Sequence, residues 1–344
     1  MGTSRWGGIR AAHLVGVAFM IATALPAPVA QAEDVPKGAV PLPLKGRLTV
    51  RNDSPYYIDG KQVIPGGSII RVEANVHIMG INKASLEVKG GLLVHGTQDA
   101  WVKIENVDFS PTVAPDNEVH LDMADLYNCT FDHGEAAAFD GGMTIENSAL
   151  QGGCKFNVRM RSGYLRIMTA NFKVPCVIDC TPTSATAPEV AIRTSWMNEV
   201  TISGDAHATI RDSEARGLVE GKNFTDLVID GCDLFAGAAF RQKAEGSFAK
   251  LSLQKCNLFG GTKLVLERPA SPKSKTEKVR VDKFYFGTAD DKPELLDKQI
   301  ADRIDDGDDN AEISVKAFWA NPNSRKHVFL SDSLRRRRPP PPPE

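Results

Sequence analysis

The stretch that decides the fold is VKIENVDF, Val102 to Phe109. It reads apolar, outward, apolar, outward, Asn, small or apolar, outward, apolar. The phrase returns as ADLYNCTF from Ala124, MTIENSAL from Met143, LRIMTANF from Leu165 and VAIRTSWM from Val190. ATIRDSEA from Ala208, LVIDGCDL from Leu227, LSLQKCNL from Leu251 and VRVDKFYF from Val279 follow. Copies start 18 to 28 residues apart, about 22 on average, which suits one coil of a stacked solenoid. Alternation within each phrase is the period of a strand, with the first, third, sixth and eighth positions facing one side.

The fifth position falls at a bend. It is Asn106, Asn128 and Asn147 in three consecutive copies, then Thr169 and Thr194. Asn tolerates left-handed backbone angles, and stacked coils would let such amides bond in a ladder. A third apolar stretch follows each phrase, so each coil is expected to hold three strands. A β-sandwich also has many short strands, but it does not explain one phrase recurring in one register.

Working outward, residues 1–32 read as a secretory signal peptide. Arg5 and Arg10 precede an apolar run from Ala11 to Leu25, and Ala30-Gln31-Ala32 offers a cleavage site. The chain from Glu33 is expected to be secreted or periplasmic, with no transmembrane segment once the signal is removed. Residues 33–44 form a linker, 45–289 the solenoid, 290–323 a cap, and 324–344 a basic, proline-rich tail. That tail, Arg335–Arg338 followed by five prolines, is expected to be disordered or polyproline-like. Overall, 344 residues with 42% hydrophobic content and a net charge of −2 exclude general disorder and give no nucleic-acid signature.

Both flanks of the repeat resemble exported bacterial proteins of the pectate-lyase-like superfamily. Val63 to Ile104 (VIPGGSIIRVEANVHIMGINKASLEVKGGLLVHGTQDAWVKI) is similar to their opening coils. Tyr285-Phe286-Gly287-Thr288, a helix near Pro293–Ile304, an Asp-rich turn and a strand over Ile313–Phe318 are similar to their terminal motif. Phe284 departs from it, standing where members often have Asn. The resemblance implies an all-β, right-handed parallel β-helix with a short C-terminal capping helix. It does not fix an activity, because the superfamily hosts many.

Catalysis in such enzymes is usually built where outward side chains line a groove. The resemblance implies either calcium-binding carboxylates with an Arg base, or clustered Asp residues. Asp140, Arg159, Asp179, Glu220, Arg241 and Glu267 end strands on successive or near-successive coils. Among them Arg159, Asp179, Glu220 and Arg241 are the candidates for a catalytic set. Acids alternate with arginines instead of clustering, so a structural ladder is the preferred reading. A second face carries Arg166, Arg193 and Arg211, with Trp196 and Glu214 across the bend and Asp230 on the following coil. A basic strip beside an aromatic suits an acidic glycan. The competing reading pairs Arg211 with Asp230 and packs Trp196 on its own coil.

Asp306, Asp308 and Asn310 begin like a calcium loop, but Ala311 and Ala317 stand where Gly and Glu are required. Asp132-His133-Gly134-Glu135 reads as a turn. The sixth phrase position collects Val107, Cys129, Ser148, Ala170, Ser195, Ser213, Cys232, Cys256 and Phe284, an inward column expected to hold buried thiols. Cys232 and Cys256 fall on adjacent coils within reach of a disulfide. Cys154, Cys176 and Cys180 complete the six, with no zinc pattern.

The leading expectation is an exported non-catalytic protein, structural or polysaccharide-binding at the cell envelope, with an acidic polysaccharide or envelope polymer as partner and no cofactor. The alternative is a polysaccharide lyase or glycoside hydrolase on the first-strand groove, in which case calcium enters as cofactor.

Overall fold

Alternating apolar residues close into coils because every strand finds the next coil in parallel register. The computed structural model describes residues 34–51, 55–111, 118–132, 140–182, 186–243, 246–259, 262–269, 277–285, 304–305 and 311–318. These form an all-β parallel solenoid of two sheets, one of eighteen strands and one of twelve. The shorter sheet takes one strand from each coil, among them Gly91–His95, Glu118–Asp122, Gly142–Glu146, Tyr164–Met168, Glu189–Arg193, His207–Arg211 and Asp226–Asp230. The longer sheet wraps the remaining two sides, and single strands such as Asn171–Cys180 and Trp196–Gly204 run along both. The inward residues form one continuous apolar core, with a run of rings from Phe109 through Phe131 and Phe156 to Phe172 at centroid separations of 4.9, 5.4 and 5.1 Å.

The phrase is real, but it occupies two places in the coil. Met143 pairs with Leu165, which pairs with Val190, then Ala208, Leu227 and Leu251, all in the shorter sheet. Val102 pairs with Ala124 in the longer sheet, and Asp125 pairs with Ala149. The true partner preceding Met143 is Val119, within EVHLD. Two corners of the coil therefore ask for the same local pattern: an alternating strand, a left-handed bend and a small inward residue. At the first corner the bend residues are Met123, Asn147, Thr169, Thr194, Asp212, Gly231 and Lys255, with φ between 47° and 67°. Their N–H groups each donate to the next coil, as Asn147 does to Met168 O and Thr194 to Arg211 O, both at 3.0 Å. Asn106 and Asn128 belong to the second corner.

This corrects the expected three-membered amide ladder. Asn128 Nδ2 donates to Asn106 Oδ1 at 3.3 Å, and the Gly153 N–H donates to Asn128 Oδ1 at 2.8 Å. Asn147 instead donates to Asp122 Oδ1 at 3.0 Å.

The small inward column divides the same way. Ser148, Ala170, Ser195, Ser213, Cys232 and Cys256 stack at the first corner, whereas Cys129 stacks on Cys154 at the second. Each hydroxyl or thiol serves its bend. Ser195 Oγ donates to Arg193 O at 2.8 Å, Ser213 Oγ to Arg211 O at 2.7 Å and Cys256 Sγ to Gln254 O at 3.1 Å. In return, the N–H of the neighbouring coil donates to the same atom, Ser195 N to Ser213 Oγ at 3.2 Å and Cys232 N to Cys256 Sγ at 3.5 Å. All six cysteines are buried and unbridged. Burial pushes the Cys180 thiol up to about 12. Hydrogen bonds from the Cys129 thiol and N–H hold Cys154 below the ordinary thiol range, and Cys129 rises correspondingly.

From Asp122 onward, differences in coil length fall mostly at the third corner, before each strand of the shorter sheet, whereas in the earlier coils the first corner varies as well, as between His95 and Val102. Gly204 and His207 leave almost no connection there, while Cys180 to Glu189 and Arg241 to Leu251 are longer. At the C-terminal end, Ala311–Phe318 pairs with Glu277–Phe284, so the expected last strand is present and begins two residues earlier than Ile313. The expected signal segment, most of the expected capping helix, the Asp306, Asp308 and Asn310 turn, His133 to Glu135 and the Arg/Pro tail lie outside the described residues.

Candidate functional site

Two outward faces carry the charged side chains. On the longer sheet, Arg159 stands in register with Asp179, then Ser203, Lys222, Arg241 and Glu267. Arg159 Nε donates to Asp179 Oδ2 at 3.1 Å, and Ser203 Oγ donates to Asp179 Oδ1 at 3.0 Å. Glu220 lies two residues before Lys222 and is mostly buried. It takes Lys222 at 2.5 Å and also pairs with Arg241, which reaches Glu267 at 2.6 Å. Hydrogen bonding to Glu267 pushes the Arg241 guanidinium above its ordinary range despite opposing burial. Asp140 accepts from Arg161 at 2.7 Å and from Ser162. The four catalytic candidates thus fall into two pairs, Arg159 with Asp179 and Glu220 with Arg241, separated by the Ser203 coil, and each acid is already held by a cation.

The shorter sheet presents three outward columns. The first runs Glu118, Gly142, Tyr164, Glu189, His207, Asp226. The second runs Arg71, Leu93, His120, Thr144, Arg166, Ala191, Thr209, and the third His95, Asp122, Glu146, Met168, Arg193, Arg211, Asp230. Arg193 and Arg211 are therefore immediate in-register neighbours, and both are exposed. Among the described residues neither guanidinium has an ion-pair or hydrogen-bond partner, because Asp230, expected to serve Arg211, pairs with Lys255 at 3.5 Å.

Thr194 shapes this spot. A β-branched residue at φ 49° is costly, of order 1–3 kcal/mol, and persists only where its surroundings fix it. Its bend splays Arg193 and half-buried Trp196 to either side of the corner. Trp196 stands in register with Glu214, which is buried and paired with Arg216. Arg166 is one coil from Arg193 and lies over the Tyr164 ring at 4.3 Å.

Beside the arginines lies a patch that sequence reasoning missed. Gly142 has no side chain where the Tyr164 ring passes: a Cβ there would stand 2.4 Å from its Cζ. The ring reaches across to hydrogen-bond Glu118, and burial with that carboxylate raises the phenol above its ordinary range. Thr144 Oγ1 also donates to Glu118, at 2.8 Å. The His95 and His120 rings meet edge to face at 5.3 Å, and His120 Nε2 lies 3.9 Å from Glu146 Oε2 without a hydrogen bond. Burial, then His120 and Arg71, push the His95 imidazole below its ordinary range. The readable signal was EVHLD itself, whose Glu-x-His-x-Asp spacing sets three chemical groups on one side of a strand. Anchoring the repeat at Val102 and Ala124 hid it.

Among the described residues no three His, Cys, Asp or Glu converge as a metal-binding group, and no helix is long and apolar enough to cross a membrane. Compared with known proteins, the chain matches no family model, no curated protein and no solved structure.

Proposed function

We propose that this protein is an exported β-helix of the pectate-lyase-like kind, resident at the cell envelope or secreted, that binds an acidic polysaccharide without transforming it. The observation that supports this reading is the Arg193–Arg211 pair. Two exposed guanidiniums on neighbouring strands, about 4.8 Å apart, repel each other. A carboxylate seated between them relieves that repulsion and accepts planar, bidentate hydrogen bonds. Trp196 offers a ring edge or face to a sugar across the bend, and a solenoid surface is long and straight enough to suit a polymer. The longer-sheet column supports the non-catalytic half of the reading. An Arg base must be free to take a proton, whereas Arg159 and Arg241 are each engaged by carboxylates.

The test begins with the full chain expressed with its leader and recovered from the extracytoplasmic fraction. An N-terminus at Glu33 is expected, and retention of Met1 in the cytoplasm would remove the export part. Binding to uronate-containing polysaccharides, and not to neutral ones, is expected, with neither new reducing ends nor unsaturated uronate products. Calcium-dependent unsaturated product, lost in Arg159→Ala or Arg241→Ala, would replace this reading with a lyase. New reducing ends alone would replace it with a glycoside hydrolase.

A further inference from the structure

The arginine strip is bounded by carboxylates on both sides, and the two boundaries differ. Beyond Arg211 come Asp230, tied to Lys255, and Asp226, tied to His207 at 3.3 Å. Before Arg193 the column runs through Met168 to Glu146 and Asp122, with Glu118 alongside in the first column. From Arg166 to Arg211 the strip spans two coil steps, about 10 Å, so a polyanion meets repulsion soon in either direction. Among the described residues, only the boundary toward Glu146 is interleaved with imidazoles that make no hydrogen bond, His120 standing 3.9 Å from Glu146. Past it, Arg71 stands in the same column as His120 and Arg166, six coil steps or about 29 Å from Arg211.

We propose that Arg71, His95 and His120 form a conditional extension of the acidic-glycan site, closed to the polymer while the imidazoles are neutral and opened when they are protonated. The proposal rests on the acidic-polysaccharide reading of the Arg193–Arg211 strip. With neutral imidazoles, Glu118, Asp122 and Glu146 put three negative charges in the path of the chain. Two imidazolium charges among them cancel most of that repulsion, and the chain gains Arg71 as a further anchor.

The groups facing the imidazoles set where this happens: burial, His120 and Arg71 shift the protonation of His95 toward acid, against Asp122 and Glu118. His95 meets Arg71 from the preceding strand and His120, Asp122 and Glu118 from the following one. His120 meets His95 on one side and Glu146 and Thr144 on the other. Glu118 is already satisfied by Thr144 and Tyr164, which leaves Asp122 and Glu146 as the counter-charges nearest to the imidazoles. Imidazoles are the side chains that ordinarily change charge between about pH 5 and 8, whereas uronates stay ionised throughout that range.

The experiment measures equilibrium binding of a trisaccharide and a nonasaccharide of uronic acid to the full chain, at about pH 7.5 and about pH 5.5 and constant ionic strength. The trisaccharide, short enough for the arginine strip, is expected to bind equally at both. The nonasaccharide is expected to bind about tenfold tighter in acid. A His95→Gln, His120→Gln double variant is expected to lose that gain and keep trisaccharide binding, while His207→Gln keeps both. Arg71→Gln, an exposed change that spares the histidines, is expected to remove part of the gain. A nonasaccharide gain that survives the double variant, or no gain in the parent, overturns the extension and leaves the strip intact. Failure of both oligosaccharides to bind at either pH overturns the polysaccharide reading and the extension with it.

Discussion

The two charged faces use the same residue types to opposite ends. Along the longer sheet each carboxylate sits against a cation, Asp179 against Arg159, Glu220 against Lys222 and Arg241, Glu267 against Arg241, and the one like-charged pair in register, Lys222 and Arg241, shares Glu220. Along the shorter sheet, like charges stack. Arg193 adjoins Arg211, and Asp122 adjoins Glu146. In-register neighbours of one sign are destabilising in a sheet, and for Arg193 and Arg211 no acid of the described residues compensates them as Glu220 does Lys222 and Arg241. The first face is complete in itself and the second is not.

The sharpest way to break that contrast is to remove Glu220, the most buried acid of the ladder. Glu220→Ala strips Lys222 of its counter-charge and Arg241 of one of two. A loss of about 2 kcal/mol in unfolding free energy is expected, less than for a fully buried pair because Arg241 is partly exposed. Chemical denaturation measures it, and no change would mean that the ladder is ornamental.

Next come Arg193→Ala and Arg211→Ala. Each is expected to weaken acidic-polysaccharide binding about tenfold, or about 1.4 kcal/mol, while stability stays within about 0.5 kcal/mol of the parent or rises. A clear stability loss in either would show that the two faces are alike. Arg159→Ala, whose ion pair is about a third exposed, is expected to cost about 0.5 kcal/mol of stability and leave polysaccharide binding unchanged.

The smallest effect is the pH dependence carried by His95. Its folded-state proton affinity is depressed, so the unfolded chain takes up the proton first as pH falls through about 6.5. Stability contributed by this residue is therefore present above that pH and lost below it. A urea midpoint followed against pH is expected to fall less steeply in His95→Gln than in the parent.

The solenoid was legible because alternation and a recurring bend are local signals, and stacking multiplies them. The position of Asn106 and Asn128 was not, since two corners of one coil impose the same backbone demand and a phrase cannot say which corner it occupies. Met123 at a left-handed bend hid the first-corner register further, as methionine carries no bend signal. The arginine strip was found from outward positions of correctly aligned copies. Its neighbouring patch was lost with the misaligned ones, and Gly142 gave no hint that its missing side chain makes room for Tyr164. Pairing also escaped the sequence: Asp230 follows Arg211 in register, yet its partner is Lys255 one coil further.

The third corner has a further consequence. From Asp122 onward it absorbs most of the differences in coil length, while the first corner keeps one bend geometry from Met123 to Lys255. The face bearing Arg193 and Arg211 therefore behaves as a ruler whose graduations stay fixed while material is added behind each mark. Lengthening a coil at that corner changes what overhangs the face and not the interval between the side chains that the face presents. Side-chain spacing and coil size are thus separable quantities in this chain, open to change one at a time.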